Sequence, residues 1–230
     1  MDISIYNLAS GMKAEEIFLD VVANNIANVS TSGFKRQSPY FHLIFIDEKD
    51  KLLKVCGSYT DFSSGSIIET KDKRDLAIQG KGFFTLEKNG EYFYARTLKV
   101  FKDREGYLID ENGSFILGND GKIKIIGDFS IDESGQVYDE SKNIVDKLKI
   151  TYFENMNLIL PKGKNYFINN GSNVRISQDF SILQGYRENS NVNIVEEMIN
   201  LINISRVYEA IQKNIQSIDY LYEKLINTLR

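Results

Sequence analysis

The chain holds one cysteine, one histidine and two prolines in 230 residues. Cys56 alone cannot close an intramolecular disulfide, and its KVCGS surroundings offer no second ligand at metal spacing, so it reads as a small filler. His42 has no cysteine nucleophile and no G-x-S-x-G elbow to serve, and it reads as structural. Long apolar runs are also missing. Polar residues interrupt each one well short of the roughly 18 to 20 needed to span a bilayer, and Asp2 stands where a secretory signal carries basic residues. Neither a cleaved signal peptide nor membrane insertion is expected. Basic charge is not in excess either: 28 Lys and Arg against 32 Asp and Glu give a net charge of −4. Nucleic acid is therefore excluded as a partner, since no broad positive face is available for a phosphate backbone.

Motifs that carry chemistry are equally sparse. QGKGFF (Gln79 to Phe84) lacks the Gly-Lys-Ser/Thr ending of a phosphate loop and the third glycine of a dinucleotide fingerprint, so it predicts a tight turn into a strand. DENGSFILGNDG (Asp110 to Gly121) is rich in oxygen ligands but has no closing glutamate, and reads as hairpin turns without calcium. Carboxylate pairs are numerous, yet no spacing selects an acid/base couple for glycoside hydrolysis. No cofactor, metal or catalytic residue is expected.

Periodicity is what the chain does have. From Leu201, the residues Ile204, Tyr208, Ile211, Ile215, Ile218, Tyr222, Leu225 and Leu229 follow at alternating steps of three and four, a heptad seam. No proline or glycine follows Gly185, so one helix is predicted from about Val192 to the end, on the order of 55 Å long. Such length fits a coiled coil or bundle strut. The other reading of the same pattern is a long helix packed on its own domain's core. Asparagine and serine in GYRENSNVN offer an N-cap, with Glu196 and Glu197 placed where the helix dipole favours negative charge.

Residues 1 to 29 predict a second amphipathic helix through Leu8, Met12, Leu19, Val22, Ile26 and Val29. Glu15 takes the one polar slot in that seam, and Gly11 lowers intrinsic helix stability by up to about 1 kcal/mol. The helix exits through three asparagines into Ser30, Thr31, Ser32 and Gly33, whose short polar groups suit the unpaired backbone of a helix end.

Between Pro39 and Pro161 the pattern changes to short β-branched and aromatic runs. FHLIFI, FFTLE, EYFYAR, KVFK, YLID, SFILG, KIKII and QVYD are strand candidates, with KDKRD (Lys71 to Asp75) a solvated connection. Asn89-Gly90, Arg104 to Gly106, Asn112-Gly113, Asp120-Gly121 and Ser134-Gly135 punctuate them, which argues for an antiparallel all-β middle. The expected fold class is α+β. Long N- and C-terminal helices form a coiled-coil-like pair (1–38 and 186–230), with a connecting segment of short strands (39–74) and an inserted β-rich domain (75–185).

Three stretches now carry a resemblance: SGMKAEEIFLDVVANNIANVSTSGFKR (Ser10 to Arg36), DLAIQGKGFFTL (Asp75 to Leu86) and SNVNIVEEMINLINISRVYEAIQKNIQSIDYL (Ser190 to Leu221). Together they resemble the bacterial flagellar rod and hook axial proteins, most closely the basal-body rod proteins. The motif residues are Asn24, Asn25, Asn28, Thr31, Gly33, Phe34, Asp75, Gly80, Gly82 and Phe83. The resemblance implies a structural, non-enzymatic subunit. Its terminal helices would pack with copies of itself and other rod and hook proteins into a helical tube that spans the periplasm and passes motor torque to the hook. It further implies delivery through the flagellar type III export apparatus without a cleaved signal. The short stretch between the first two motifs points to a proximal rod type, while SNVNIVEEM leans to the distal one. The seam residues Leu8, Met12, Leu19, Val22 and Ile26, with Leu201, Ile204, Tyr208, Ile211, Ile215, Ile218, Tyr222 and Leu225, are the expected assembly interface. The rival from another class is a secreted β-domain enzyme or glycan-binding protein whose long helix is a private core element.

Overall fold

A computed structural model describes the backbone of residues 3–47 and 50–228, and the side chains of 7–41 and 57–228. The side chains of His42 and Cys56, and Leu229 at the end of the seam, lie outside the described residues. The class is α+β, with an N-terminal helix α1 (Ile3–Ala27), a C-terminal helix α2 (Ile194–Thr228) and antiparallel strands between them.

The chain separates into two compact units. The first comprises Met1–Val29, Arg36–Asp61 and Val192–Arg230; the second comprises Ser30–Lys35 and Phe62–Asn191. In the first, α1 contacts α2 and also a two-stranded hairpin, Gln37–Asp47 paired with Asp50–Thr60. FHLIFI thus falls within a strand. α2 begins at an asparagine N-cap: Asn193 Oδ1 accepts from the backbone N–H of Val195 at 3.1 Å, which satisfies one of the donors a helix start leaves open.

The second unit is organised on Phe83–Lys88. This strand pairs with Glu91–Ala95, with Phe115–Ile116 and with Ile150–Phe153 in one large sheet. Asp75–Gly80 lies in a separate sheet between Phe180–Gln184 and Thr97–Lys99. Their inward residues, including Leu76, Ile78, Phe84, Leu86, Ile150 and Ile182, form one core. A smaller aromatic cluster gathers Phe83, Tyr94, Phe153 and Phe167, with Tyr94 edge-on to Phe153 at 4.7 Å between ring centroids. KIKII is not a regular strand: Lys122 and Lys124 make only isolated bridges, although Ile123 and Ile125, which alternate with them, are buried.

Turn chemistry explains the strand spacing. Asn89 and Gly90 both have positive φ and turn the chain between Phe83–Lys88 and Glu91–Ala95, as a two-residue hairpin loop of this sequence requires. A second device recurs four times. At Asp103, Asp110, Asp132 and Asp139, the carboxylate Oδ1 accepts from the backbone N–H four residues on. The residue three places on, Gly106, Gly113, Gly135 or Lys142, takes positive φ and donates its N–H to the aspartate carbonyl. Each turn therefore closes on itself within five residues.

Candidate assembly interface

The exit of α1 is built by its asparagines. Asn25 is fully buried, and its side chain both donates to Gln37 O at 2.8 Å and accepts from Gln37 N at 3.0 Å. A carboxamide here imitates a backbone pairing at the start of the hairpin. Asn28 Nδ2 donates to Asn24 O at 2.9 Å, so an asparagine side chain helps to close the last turn. Thr31 O accepts from Phe34 N, and Phe34 is buried. Gly33 has φ +73°, and a Cβ there would sit 2.8 Å from Thr97 Cγ2. Only glycine fits both its backbone and its surroundings.

Behind that loop lies a buried ionic cluster. Lys35 Nζ donates to Glu188 Oε1 at 2.6 Å and to Ser63 O at 2.6 Å. Glu188 also accepts from Gly65 N at 3.0 Å and from Arg96 Nε at 3.1 Å, while Arg96 donates further to Gly82 O and Ile78 O. The next residue, Arg36, donates from Nε to Glu197 Oε1 at 2.5 Å in the first turn of α2. Burial opposes the Arg36 charge, but the Glu197 carboxylate outweighs it and the guanidinium pKa rises. Glu197 is fully buried, so it serves as this partner as well as a charge near the helix start.

KDKRD is only partly solvated. Asp72 accepts from Arg74 and Lys99, which hold its carboxyl well below the usual carboxylate range. Asp75, the first residue of the second motif, is buried. Gly80 and Gly82 have positive φ, and a Cβ on Gly82 would lie 2.6 Å from Ile150 Cγ2; Phe83 then enters the aromatic cluster. QGKGFF is a tight turn into a strand.

The two helices run antiparallel. A Cβ on Gly11 would lie 3.7 Å from Ile211 Cδ1, while at the other end Arg36, soon after α1, reaches Glu197. Of the expected seam residues, Val22 and Ile204 are buried, and Leu8, Met12, Ile26, Leu201, Ile211, Ile215 and Ile218 are half-buried. Leu19 and Tyr208 are marginally exposed, and Tyr222 and Leu225 are 39% and 56% exposed. A second apolar stripe, Val195, Ile199 and Ile202, is exposed beside the seam.

In the last turns of α2, Tyr220, Leu221, Leu225 and Ile226 are each more than half exposed.

Among the described residues no group of three or more His, Cys, Asp or Glu could hold a metal ion, and no helix is long and apolar enough to cross a membrane. Sequence reasoning missed Lys35, Arg96 and Glu188. Lys35 falls inside the first motif, but nothing local marks its partner 153 positions away.

Comparison with known proteins gives this arrangement a setting. Residues 5–35 match the family described as "Flagella basal body rod protein", and residues 183–228 match "Flagellar basal body rod FlgEFG protein C-terminal". The chain is 30% identical over 244 residues to the flagellar basal-body rod protein FlgG of Agrobacterium fabrum, covering 92% of this chain and 93% of that protein. It is 28% identical over 266 residues to FlgG of Bacillus subtilis, covering 99% of each. With the flagellar basal-body rod protein FlgF of Caulobacter vibrioides it shares 29% identity over 226 residues, 93% of this chain and 92% of that one. Similarity of this extent, reaching from the first helix through the strands to the last, makes the chain a member of the flagellar basal-body rod protein family, structural and not enzymatic.

Proposed function

We propose that this rod subunit polymerises through α1 and α2, which act as a coiled-coil-like pair with the β-rich part of the chain inserted between them. The exposed apolar side chains in the last turns of α2 carry the reading. Apolar surface left in water costs free energy unless another surface covers it, at about 25 cal/mol per Å². Copies related by one repeated, non-closing contact generate a helix of subunits. A tube built this way would span the periplasm and pass motor torque to the hook. The neighbours are further copies and other rod and hook proteins. Export through the flagellar type III apparatus without a cleaved signal fits end helices that complete their packing only on docking.

The test replaces apolar side chains that are already exposed, so that folding of the free subunit is spared. Leu221→Asp with Ile226→Asp, at side chains 59% and 58% exposed, leaves circular dichroism of the purified chain unchanged and removes the protein from basal bodies, with loss of motility. Isolation of normal basal bodies containing the doubly substituted chain refutes the assembly role.

A further inference from the structure

The β-rich unit contains a polar cleft of about 240 Å³, bordered by Ser30, Thr31 and Ser32, by Asp75, Thr97 and Lys99, and by Lys164, Asn165 and Arg187. Two groups on its wall are unusual. Asp75 is only 2% exposed, yet its Oδ2 accepts no hydrogen bond, and Arg187 Nε is buried with no acceptor. The two side chains are adjacent, Arg187 Nη2 lying 3.6 Å from Asp75 Oδ2, beyond hydrogen-bond distance. Leaving a buried donor and a buried acceptor unmade side by side is costly. Arg187 is the part able to move: its side chain is 42% exposed, and its Nη1 makes only a long 3.4 Å bond to Ser32 Oγ.

We infer that this cleft binds a primary carboxamide, whose oxygen accepts from Arg187 Nε while its amide N–H donates to Asp75 Oδ2. The choice follows from geometry and charge. An adjacent donor and acceptor need a ligand edge that offers one of each on the same side. A primary amide has that edge, since one of its N–H bonds lies beside its carbonyl. The trans peptide amide does not, because its N–H and C=O point in opposite directions. Lys99, Lys164 and Arg187 face Asp75 and Glu111 around the cleft. A neutral dipolar group thus meets both signs without adding an unpaired charge to either. The volume suits one side chain or a small molecule, below the usual range for larger ligands. The site lies wholly within the β-rich unit and does not rest on the helix-assembly reading.

The experiment titrates the ¹⁵N-labelled full chain with acetamide, N-methylacetamide and acetate, read by NMR at Arg187 Nε–H and at the backbone amides of Ser32 and Leu98. Acetamide gives saturable shifts, and the other two bind at least about fivefold more weakly. Arg187→Lys keeps the charge, removes Nε and weakens acetamide about tenfold. Asp75→Asn, which trades the acceptor for a donor, does the same; should it disturb the buried strand, the half-exposed Arg187 variant still decides. A blocked asparagine binding more tightly than acetamide assigns the site to a side chain of a neighbouring polypeptide, and acetamide binding alone assigns it to a free small molecule. Equal shifts from all three probes, no saturation with acetamide, or unchanged affinity in Arg187→Lys overturns the inference.

Discussion

Replacing Glu188 by glutamine tests the buried ionic cluster most directly. Glu188 is fully buried and receives three donors, Lys35 Nζ, Arg96 Nε and Gly65 N. Glutamine keeps the shape and can still accept through its oxygen, but it removes the carboxylate paired with Lys35, which is itself completely enclosed. Arg96 retains carbonyl acceptors at Gly82 and Ile78; Lys35 retains Ser63 O. Two buried cations then lose the charge of Glu188. Breaking a buried pair on one side costs about 3–5 kcal/mol, a large share of the roughly 5–15 kcal/mol that holds a domain together. Lys35→Met should cost less, about 1–3 kcal/mol, because Glu188 keeps Arg96 and Gly65 N, and Ser63 O keeps Asn191 Nδ2. Adding Lys35→Met to Glu188→Gln should restore part of the loss, since one of the stranded cations is gone. Urea unfolding followed by near-ultraviolet circular dichroism, which reports the tyrosine-rich β unit, measures all three. A Glu188→Gln cost below about 1 kcal/mol, or a double variant as unstable as the sum of the singles, would show that the cluster contributes little net charge pairing.

Other outcomes follow from single positions. Gly11→Ala should raise the helical melting transition, by up to about 1 kcal/mol in stability, because the new methyl group meets Ile211 at an ordinary 3.7 Å. Lys142 holds φ +64° in the fourth aspartate turn, so Lys142→Gly should stabilise by about 1 kcal/mol. Gly113→Ala, at φ +74° in open space, should destabilise by a similar amount through backbone strain alone; thermal unfolding compares them. Burial raises the Glu15 pKa above its ordinary value. The folded state therefore favours the protonated acid, and Glu15 supports folding best below its unfolded pKa and loses that support as pH rises through the folded one. Glu15→Gln should accordingly raise the helical transition at pH 7, with the difference from the parent vanishing near pH 4. An equal gain at both values contradicts this cause.

What could be read from the sequence was local. The helix N-cap within GYRENSNVN and the Asn89-Gly90 turn are each set by residues within one or two turns of chain, and each forms where the pattern put it, the cap at Asn193. KIKII had the alternation of a strand but became isolated bridges, because pairing depends on a partner segment that no window of sequence displays. Asp75 sits in a run of charges that reads as solvated, yet the following LAI draws it to the start of a central strand, where Lys99 and Arg187 come close. Lys35 and Glu188 have no periodicity at all. Their pairing depends on the second unit bringing Ser30–Lys35 beside the strand Tyr186–Glu188. Asn25 lay inside a recognised motif, but its bond to Gln37 could not be inferred from an asparagine-rich helix exit.

The four aspartate turns bear on how the molecule recovers from an extended thread. Each is completed by five consecutive residues, so hairpins can zip within about 1–10 μs of the segment becoming free, in any order and without help from either terminus. Joining Lys35 to Glu188 must instead close a loop of most of the polypeptide, a slower step by its entropy. Folding from the extended state would thus begin with many small, independent closures, and only afterwards form the knot of charge that ties the beginning of the β unit to its end.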